Sequence, residues 1–210
     1  MNQSTSPQQM DLTARVAFAK VYPAIARHVV KKYGITAGRC LDAGSGPGSL
    51  AIALARITDM QIVSLDIEPG MTGIAEKNIA EAKLAHRITT ITADVHSIPF
   101  EDDYFDLIVS RGSVFFWEDQ SGALREIYRV LKPGGVLYCG GGMGSDEIRR
   151  EANEIIMTDE RFKDMRALWR ERNCKPKTEN EVTFKKALAE ARLNGTILQE
   201  GNGIWIEIIK

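Results

Sequence analysis

An α/β fold built on a mostly parallel β-sheet is the class that this sequence predicts. Short apolar, β-branched runs alternate with amphipathic helical patterns from residue 39 to residue 140, as in parallel strands joined by helical crossovers. A glycine-rich turn follows the first run directly. The last two runs flank Gly201-Asn202-Gly203, which predicts an antiparallel hairpin. The 210 residues suffice for one domain of this kind.

The region before the sheet is predicted to be helical. Residues 1–10 carry almost no apolar side chains, which predicts a flexible tail, and residues 11–210 are expected to form the single domain. Two helices are expected within residues 11–34, because Pro23 interrupts the first apolar pattern and fits the first turn of a second helix. Gly34 fits the C-terminal cap of that helix.

Five strands are expected next, each a short apolar run that a helical pattern or a turn signal separates from the following one. They are predicted at residues 39–43, 61–66, 88–93, 105–110 and 135–140, with the turn signal LKPGG before the fifth. A charged helical insert is expected at about residues 145–177. A further helix at about 180–194 and the terminal hairpin complete the chain.

Composition and charge exclude several classes of protein. The chain has 27 basic and 28 acidic side chains, so its net charge of -1 argues against a broad nucleic-acid-binding face or an acidic-membrane anchor. No apolar run approaches the roughly 20 residues of a membrane span, and the polar N-terminus lacks a secretory signal. Cys40, Cys139 and Cys174 are widely spaced and predict neither a disulfide framework nor a metal site. A cytoplasmic protein is therefore expected.

The turn after the first strand is a candidate ligand site. Gly44, Gly46 and Gly48 lie between a strand and a helix, where glycine allows a sharp turn and close approach of a ligand to the backbone. Ser49 stands where the dinucleotide fingerprint has its third glycine, and the absence of Gly-Lys-Ser/Thr excludes a P-loop. The alternative is a tight connection without a ligand.

Two carboxylates follow the next two strands. Asp66 ends the second strand, where a carboxylate can accept both hydroxyls of a ribose; the alternative is a helix N-cap. Asp94 ends the third strand beside Val95 and suits the amine and ring of an adenine; the alternative is a turn that opens the loop.

Four segments in order, LDAGSGPG, SLDIEPGM, ADVHSIPFEDDYFDLIVS and LKPGGVLY, resemble the motifs of class I S-adenosylmethionine-dependent methyltransferases, especially the small type 11 domains. The resemblance covers about residues 35–140, and the terminal hairpin is similar to the family's last two strands. It implies a Rossmann-like seven-stranded, mostly parallel sheet with an antiparallel last strand and helices on both faces. It also implies S-adenosylmethionine (SAM) as the cofactor and S-adenosylhomocysteine (SAH) as the product.

The resemblance also implies which residues bind the cofactor. The glycine turn would wrap the methionine part, Asp42 would contact the amino group, and Asp66 would hold the ribose, with Ile67 and Met71 beside it. Asp94 and Val95 would hold the adenine. The implied set is Asp42, Gly44, Ser45, Gly46, Gly48, Asp66, Ile67, Met71, Asp94, Val95, Ser110 and Arg111.

Ser110 and Arg111 are implied to border the sulfonium of the cofactor. In this family the cofactor's carboxylate commonly meets the N-terminal region, so Arg15 and Tyr22 are candidates for that contact.

Three segments are expected to shape the acceptor side, because ligands of open α/β sheets bind beyond the carboxyl ends of the strands. They are the N-terminal helices, the loop RGSVFFWED (111–119) and the helical insert, which together form a possible cap. The aromatic cluster at 115–117 either lines the acceptor site or packs in the core, with at least one ring in the core. The glycine run at 140–144 is either a hinge or a simple turn.

Methyl transfer from an activated sulfonium depends mainly on positioning and exclusion of water. His96, Glu118 and Asp119 are candidate bases, although a solvated loop histidine is the more common case, and no catalytic residue is assigned. The sequence thus predicts a methyltransferase for a small-molecule acceptor, monomeric or homodimeric, without metal or DNA. The alternatives are a non-catalytic SAM-binding regulatory subunit and a nicotinamide-dependent oxidoreductase.

Overall fold

The computed structural model describes residues 6–174 and 177–210, in which a seven-stranded sheet carries helices on both faces. The strands β1 to β5 are parallel, and β7 is antiparallel to both of its neighbours, β5 and β6. The order across the sheet is β3-β2-β1-β4-β5-β7-β6, which confirms the predicted fold class. The strand bounds are β1 Arg39–Ala43, β2 Gln61–Asp66, β3 Ile88–Thr92, β4 Phe105–Arg111, β5 Leu131–Gly141, β6 Thr196–Leu198 and β7 Ile204–Ile209.

The helices precede, connect and follow the strands. A π-helical turn, Thr13–Ala17, continues the first helix, and 3₁₀ turns cover Val114–Phe116 and Glu160–Met165. The α-helices are α1 Pro7–Leu12, α2 Val21–Tyr33, α3 Ser49–Ala55, α4 Pro69–Glu81, α5 Gln120–Val130, α6 Asp146–Thr158, α7 Arg166–Cys174 and α8 Lys177–Ala191.

The sheet separates two hydrophobic cores because successive side chains of a strand point to opposite faces. Leu41 and Ala43 of β1 pack with residues of α5 and α8, whereas Cys40 packs with residues of α2 and α3. Burial on both faces explains why the parallel strands read as continuous apolar runs.

The N-terminal residues differ from the prediction of a tail. Residues 7–10 belong to α1, because Pro7 occupies the first turn and the Ser6 side chain accepts a hydrogen bond from the Gln9 backbone N–H at 3.2 Å. Residues 1–5 lie outside the described part of the chain. Pro23 lies in the first turn of α2, and Gly34 caps this helix with a φ of 69°, as predicted.

The segment after β5 is helical, as the insert prediction requires. Ser145 caps α6 by accepting the Ile148 N–H at 3.2 Å, and Asp146 and Glu147 occupy the positive first turn of that helix. Residues 175–176 of the predicted insert lie outside the described residues. α8 begins and ends about three residues earlier than the predicted helix at 180–194.

The predicted turn LKPGG lies inside β5 instead of before it. Leu131 already pairs with Phe105 of β4, and pairing resumes between Val136 and Leu107, so the intervening residues form an irregular excursion within the strand. Gly134 adopts a φ of 78° there, which is why a turn-like sequence is found within a strand.

Candidate cofactor site

The residues predicted to bind the cofactor lie at one edge of the sheet, because the carboxyl ends of parallel strands coincide. Asp42 lies near the end of β1, Asp66 is the last residue of β2, and Asp94 follows β3. Ser110 and Arg111 are the last residues of β4. The topology therefore brings together residues from the ends of four strands.

The glycine turn after β1 requires glycine at three positions. Gly44, Gly46 and Gly48 have φ angles of 68°, 55° and 79°, which residues with a side chain rarely adopt. A Cβ on Gly44 would also collide with the side chain of Ser113, whereas a Cβ on Gly46 would meet nothing within 4 Å. Open space beside Gly46 leaves room for a ligand against the backbone.

Hydrogen bonds fasten this turn to β2. The Ser45 backbone N–H donates to the Leu65 carbonyl at 2.8 Å, and the Ser45 hydroxyl accepts from the Ser64 hydroxyl at 2.7 Å. The Gly46 N–H donates to Asp66 Oδ2 at 2.8 Å. The turn and the predicted ribose ligand are thus parts of one preformed structure.

Asp66 is not the N-cap of α4. That position belongs to Glu68, whose side chain accepts from the Gly70 N–H at 3.3 Å. Asp66 accepts from the Glu68 N–H through Oδ1 at 3.1 Å and from the Gly46 N–H through Oδ2. Each carboxylate oxygen keeps a second lone pair, so both can still accept a hydroxyl of a ribose.

The two apolar residues predicted beside the ribose differ in exposure. Ile67 is 64% exposed and can cover a ligand, whereas Met71 is 3% exposed and packs inside the protein. A contact between Met71 and a ligand would therefore involve a small part of its surface.

Asp66→Ala is expected to weaken SAH binding by roughly 1.5–3 kcal/mol, the scale of hydrogen bonds to a charged group. Glu68→Ala is the matched control, because it removes the nearby helix cap and should cost about 1 kcal/mol of stability with little change in affinity. Calorimetry and thermal melts distinguish the two effects. An unchanged affinity for Asp66→Ala with a collapsed melting temperature would assign Asp66 a structural role.

Asp42 is almost fully buried, at 1% exposure, and its Oδ2 accepts the N–H of Ala51 in the first turn of α3 at 3.0 Å. Desolvation raises the pKa of this carboxyl to about 7, against the lowering effect of the Ala51 N–H, and the charge of Asp66 raises it further. Oδ1 makes no hydrogen bond with the described residues. A cationic ligand group beside it would complete its pairing.

Asp94, which is predicted on the adenine side, is held by His96. Its Oδ1 accepts from the His96 backbone N–H at 2.9 Å and lies 2.6 Å from His96 Nδ1. These interactions, led by the backbone hydrogen bond, lower the pKa of Asp94. Val95 is buried beside it, as an apolar neighbour of an adenine ring would be.

His96 lies in a loop with 31% of its side chain exposed, and acceptor groups hold its ring. Its Nε2 lies 3.0 Å from the Asp119 carbonyl, so both ring nitrogens face acceptors. The interpretation of His96 as a general base loses support, because a base needs a ring nitrogen that is free to take a proton from the acceptor.

Arg111 lies beneath the N-terminal segment. Its guanidinium is 4.6 Å from the ring centre of Phe18 and 5.3 Å from that of Tyr22. It donates to the Gly142 carbonyl at 3.2 Å and contacts Met143 Sδ at 3.3 Å. It makes no ion pair with a carboxylate in the part of the chain that the structure describes.

The two candidates for the cofactor's carboxylate lie apart. Arg15 is paired with Glu81 at 3.3 Å and donates to Asn78 at 3.3 Å, so acidic and amide groups of α4 already occupy it. Tyr22 lies beside Arg111, and burial raises the pKa of its hydroxyl although the charge of Arg111 opposes this. Arg111 is the better-placed cation.

None of the three rings of the aromatic cluster at 115–117 lies in the buried core. Trp117 is partly buried and packs against the core, and Phe115, which is 38% exposed, stacks on the buried Phe184 with ring centres 5.6 Å apart. Phe116 is 68% exposed on the same loop. The prediction that at least one ring is in the core is therefore wrong, although Trp117 and Phe115 pack against it.

The sequence did not single out Ser113 and Asn78, which hold the glycine turn from two sides. The Ser113 hydroxyl donates to the Ala43 carbonyl at 3.0 Å and lies 2.7 Å from the Ser110 hydroxyl, which is fully buried. Asn78 donates to the Pro47 carbonyl at 3.0 Å and to Asp11 at 2.7 Å. Both are ordinary polar residues in sequence, and only their tertiary partners reveal their role.

The described residues contain no group of three His, Cys, Asp or Glu side chains that could hold a metal ion. None of the described helices is long and apolar enough to cross a membrane.

The strand order, the reversed last strand and the acidic strand ends around a glycine turn define the class I methyltransferase fold. A family model described as a methyltransferase domain matches residues 41–139. A solved structure from Methanococcus maripaludis, provisionally described as a SAM-dependent methyltransferase, is 44% identical with a TM-score of 0.87, covering 100% of this chain and 95% of that chain. The chain belongs to the family of SAM-dependent methyltransferases, whose cofactor is SAM.

Two further relatives share less sequence identity with the chain. The ubiquinone/menaquinone biosynthesis C-methyltransferase UbiE of a Marinomonas species is 33% identical over 114 residues, which cover 53% of this chain and 45% of the relative. The [4+2]-cyclase SpnF is 32% identical, with a TM-score of 0.54 over 57% of this chain and 44% of that one. The chain spans roughly half the length of the curated relatives it matches.

Proposed function

We propose that the protein is an enzyme that transfers a methyl group from SAM to a small-molecule acceptor by direct in-line displacement. The observation that carries the proposal is the preformed structure at the carboxyl edge of the sheet. There Asp66 accepts the Gly46 N–H of the glycine turn, and the space beside Gly46 is open. The name of the UbiE relative and the net charge of -1 support a small acceptor instead of DNA.

Each cofactor-binding residue has a part in this proposal. The glycine turn and Ser45 cradle the methionine part, Asp42 receives the ammonium group, and Asp66 receives the ribose. Ile67 covers the open side of the ribose, and Asp94 and Val95 receive the adenine. Because His96 is engaged at both nitrogens, it is not the base in this proposal, and the protein acts mainly by orienting the reactants and excluding water.

Arg111 is the group assigned to the cofactor's carboxylate. The positively charged sulfonium would repel the Arg111 guanidinium. Because this guanidinium has no acidic partner among the described residues, it can stabilise a planar carboxylate by paired hydrogen bonds. The carboxylate and the sulfonium belong to one short chain, so Arg111 can border the site without contacting the sulfur.

The decisive measurement is calorimetric titration with SAM, SAH, NAD and 5′-methylthioadenosine. SAM and SAH should bind and NAD should not. Arg111→Met should weaken SAH but leave 5′-methylthioadenosine, which lacks the amino-acid part, unchanged. Binding of NAD with no response to SAH would contradict the proposal and favour an oxidoreductase. SAH release from a panel of small acceptors then separates an enzyme from a non-catalytic regulatory subunit.

The N-terminal segment and the insert pack against each other. Ile156 and Phe162 are buried against Ala17, and the rings of Phe18 and Trp169 are 5.7 Å apart. Lys20 pairs with Glu151 at 2.7 Å. The apolar stripe of the insert therefore packs on the N-terminal segment, and this unit is the cap that we assign to the acceptor side.

If the cap moves as a lid, backbone amides of residues 146–165 should exchange quickly with deuterium in the free protein and slowly with SAH bound. Residues 181–191 of α8, packed on the main core, are the internal reference and should be slow in both states. Slow exchange in residues 146–165 without ligand would show that the cap is fixed scaffold.

The cellular context follows from less direct observations. Cys40 and Cys139 are buried free thiols, which suits the reducing cytoplasm. A monomer or a homodimer is the expected oligomeric state, and light scattering of the purified chain would determine it.

A further inference from the structure

His96 connects two loops that serve different ligands. It follows β3 beside Asp94, on the adenine side, and its Nε2 lies 3.0 Å from the carbonyl of Asp119. Asp119 is the N-cap of α5, where its side chain accepts the Gly122 N–H at 2.8 Å. It ends the loop formed by residues 112–119, here called the acceptor loop, which carries Phe115 and Phe116.

Both groups that face the imidazole ring are acceptors. Nδ1 faces a carboxylate oxygen of Asp94 at 2.6 Å, and Nε2 faces a carbonyl oxygen. A neutral imidazole has a single N–H and can satisfy one of them, whereas an imidazolium donates to both at once. The geometry is therefore that of the doubly protonated ring.

The charges around the ring favour this form. Burial lowers the pKa of His96, but the hydrogen bond and charge of Asp94, together with the carbonyl and charge of Asp119, raise it overall. Arg125 of α5 also faces this group, with its guanidinium 3.9 Å from the Asp119 carboxylate. The lowered pKa of Asp94 keeps that partner ionised at neutral pH.

The acceptor loop is also fastened at its other end. Ser113 donates to the carbonyl of Ala43 at 3.0 Å, directly before the glycine turn. The loop is thus tied at its start to the methionine side of the cofactor site and at its end, through His96, to the adenine side.

We propose that His96 is a positioning residue, which in its doubly protonated form fastens the acceptor loop to Asp94 and so couples cofactor binding to the placement of that loop. The coupling rests on the proposed function, since it needs a cofactor whose adenine meets Asp94. The fastening itself exists in the free protein and can be measured without a ligand.

The first experiment measures the SAH dissociation constant of wild type and His96→Ala from pH 6 to pH 9. The ratio of variant to wild type should be about three- to tenfold at pH 6, the effect of one hydrogen bond, and should approach one at pH 9. Titration of Asp42 and of the ligand amine affects both proteins and cancels in the ratio. His86→Gln is the control, because His86 precedes β3 at the opposite edge of the sheet, and its ratio should stay at one.

A purely structural role for His96 would give a ratio that does not change with pH, and this result would overturn the proposal. The second experiment compares hydrogen exchange of residues 112–119 in the two free proteins at pH 6.5. Faster exchange in His96→Ala supports the fastening, and equal exchange overturns it. If the alanine variant does not fold, His96→Gln takes its place, since it keeps one donor that does not titrate.

The two proposals fail in distinguishable ways. Wild-type protein that binds no SAH at any pH would contradict the proposed function, while the exchange experiment would still decide on the fastening. SAH binding with a pH-independent ratio would leave the proposed function intact and reject the role of His96.

Discussion

Asp42→Asn should make the free protein more stable and its binding of SAH weaker. The wild-type carboxyl is buried and its pKa is raised to about 7. At neutral pH the folded protein must therefore either keep a desolvated charge at this site or take up a proton, and both cost free energy. Asparagine is nearly the same size and still accepts the Ala51 N–H, so the cap of α3 survives. We expect a gain of roughly 2 kcal/mol at pH 8, or about 4–8 °C in melting temperature.

The pH dependence of this gain has a definite sign. A carboxyl whose pKa is higher in the folded state than in the unfolded state destabilises the fold increasingly as pH rises from about 4 to about 7, and no further above that. The advantage of Asp42→Asn should therefore be larger at pH 8 than at pH 5.5. Asp106→Asn is the control of opposite sign, because Asp106 is paired with Lys132 at 2.8 Å at the other edge of the sheet.

Although burial alone would raise the pKa of Asp106, its hydrogen bonds to Lys132 and the Arg39 N–H lower it. Asp106→Asn should therefore lose stability at neutral pH and leave SAH binding unchanged.

SAH binding reports the other half of the Asp42 prediction. Loss of the charged partner for the cofactor's ammonium should reduce affinity by about 1.5–3 kcal/mol, or about 10- to 150-fold. Wild type near pH 7 should release part of a proton when the ammonium binds, because a cation lowers the pKa of Asp42. Titrations in two buffers of different ionisation enthalpy measure that proton. Equal affinity and equal proton release in Asp42→Asn would remove Asp42 from the cofactor site.

The cofactor edge could be predicted from sequence because its determinants are local. Positive φ angles at Gly44 and Gly48 follow from a tight turn between strand and helix, and Asp66 is placed by ending its strand. Once the strands are known to be parallel, their carboxyl ends must meet at one edge, so the prediction did not depend on any long-range contact. The hairpin was predictable for the same reason, since its turn residues adjoin its strands.

The rest of the site depends on contacts between distant parts of the chain. Arg111 was expected at the sulfonium, but its position is defined by Phe18 and Tyr22, which no spacing rule connects to it. In the sequence His96 resembles a solvated loop residue, and only the fold shows that its ring faces the Asp119 carbonyl. Such partners are fixed by packing, which leaves no periodic signal in a single sequence.

The error at residues 7–10 has a different origin. Polar composition predicted a tail, yet Ser6-Pro7 is a helix-start signal that was available in the sequence, with a capping hydroxyl followed by proline at the first helical position. The helix persists because it contacts α4, where Asn78 donates to Asp11 at 2.7 Å. Composition describes the average tendency of a segment and does not register a cap or a single tertiary anchor.

Gly140→Ala should be among the most destabilising single-methyl additions to the chain. Gly140 lies opposite Trp205 where β5 pairs with β7, and an added Cβ would collide with the Ile204 carbonyl and come within 2.7 Å of the Trp205 Cα. Both neighbours are backbone atoms of a central strand, which cannot rotate away as a side chain can. We expect a loss of about 3 kcal/mol, which lowers the melting temperature by roughly 6–12 °C.

Gly73→Ala is the matched control for this substitution. Gly73 lies on the exposed side of α4, its Cβ would meet nothing within 4 Å, and alanine favours a helix over glycine by about 1 kcal/mol. The control should therefore melt higher than wild type. Its gain would show that the loss at Gly140 comes from the collision and not from adding a methyl group to a glycine.

This comparison also decides between the two interpretations of the glycine run at 140–144. A Cβ on Gly142 would meet the Trp205 ring at 2.9 Å, and the Gly144 N–H donates to the Gly201 carbonyl at 2.8 Å. The glycine run at 140–144 is thus explained by the close approach of the terminal hairpin more than by a need to bend. If Gly140→Ala melts early but binds SAH normally when folded, the run is a packing requirement of the sheet. An unchanged melting temperature with altered hydrogen exchange in residues 146–165 would instead make it a hinge for the cap.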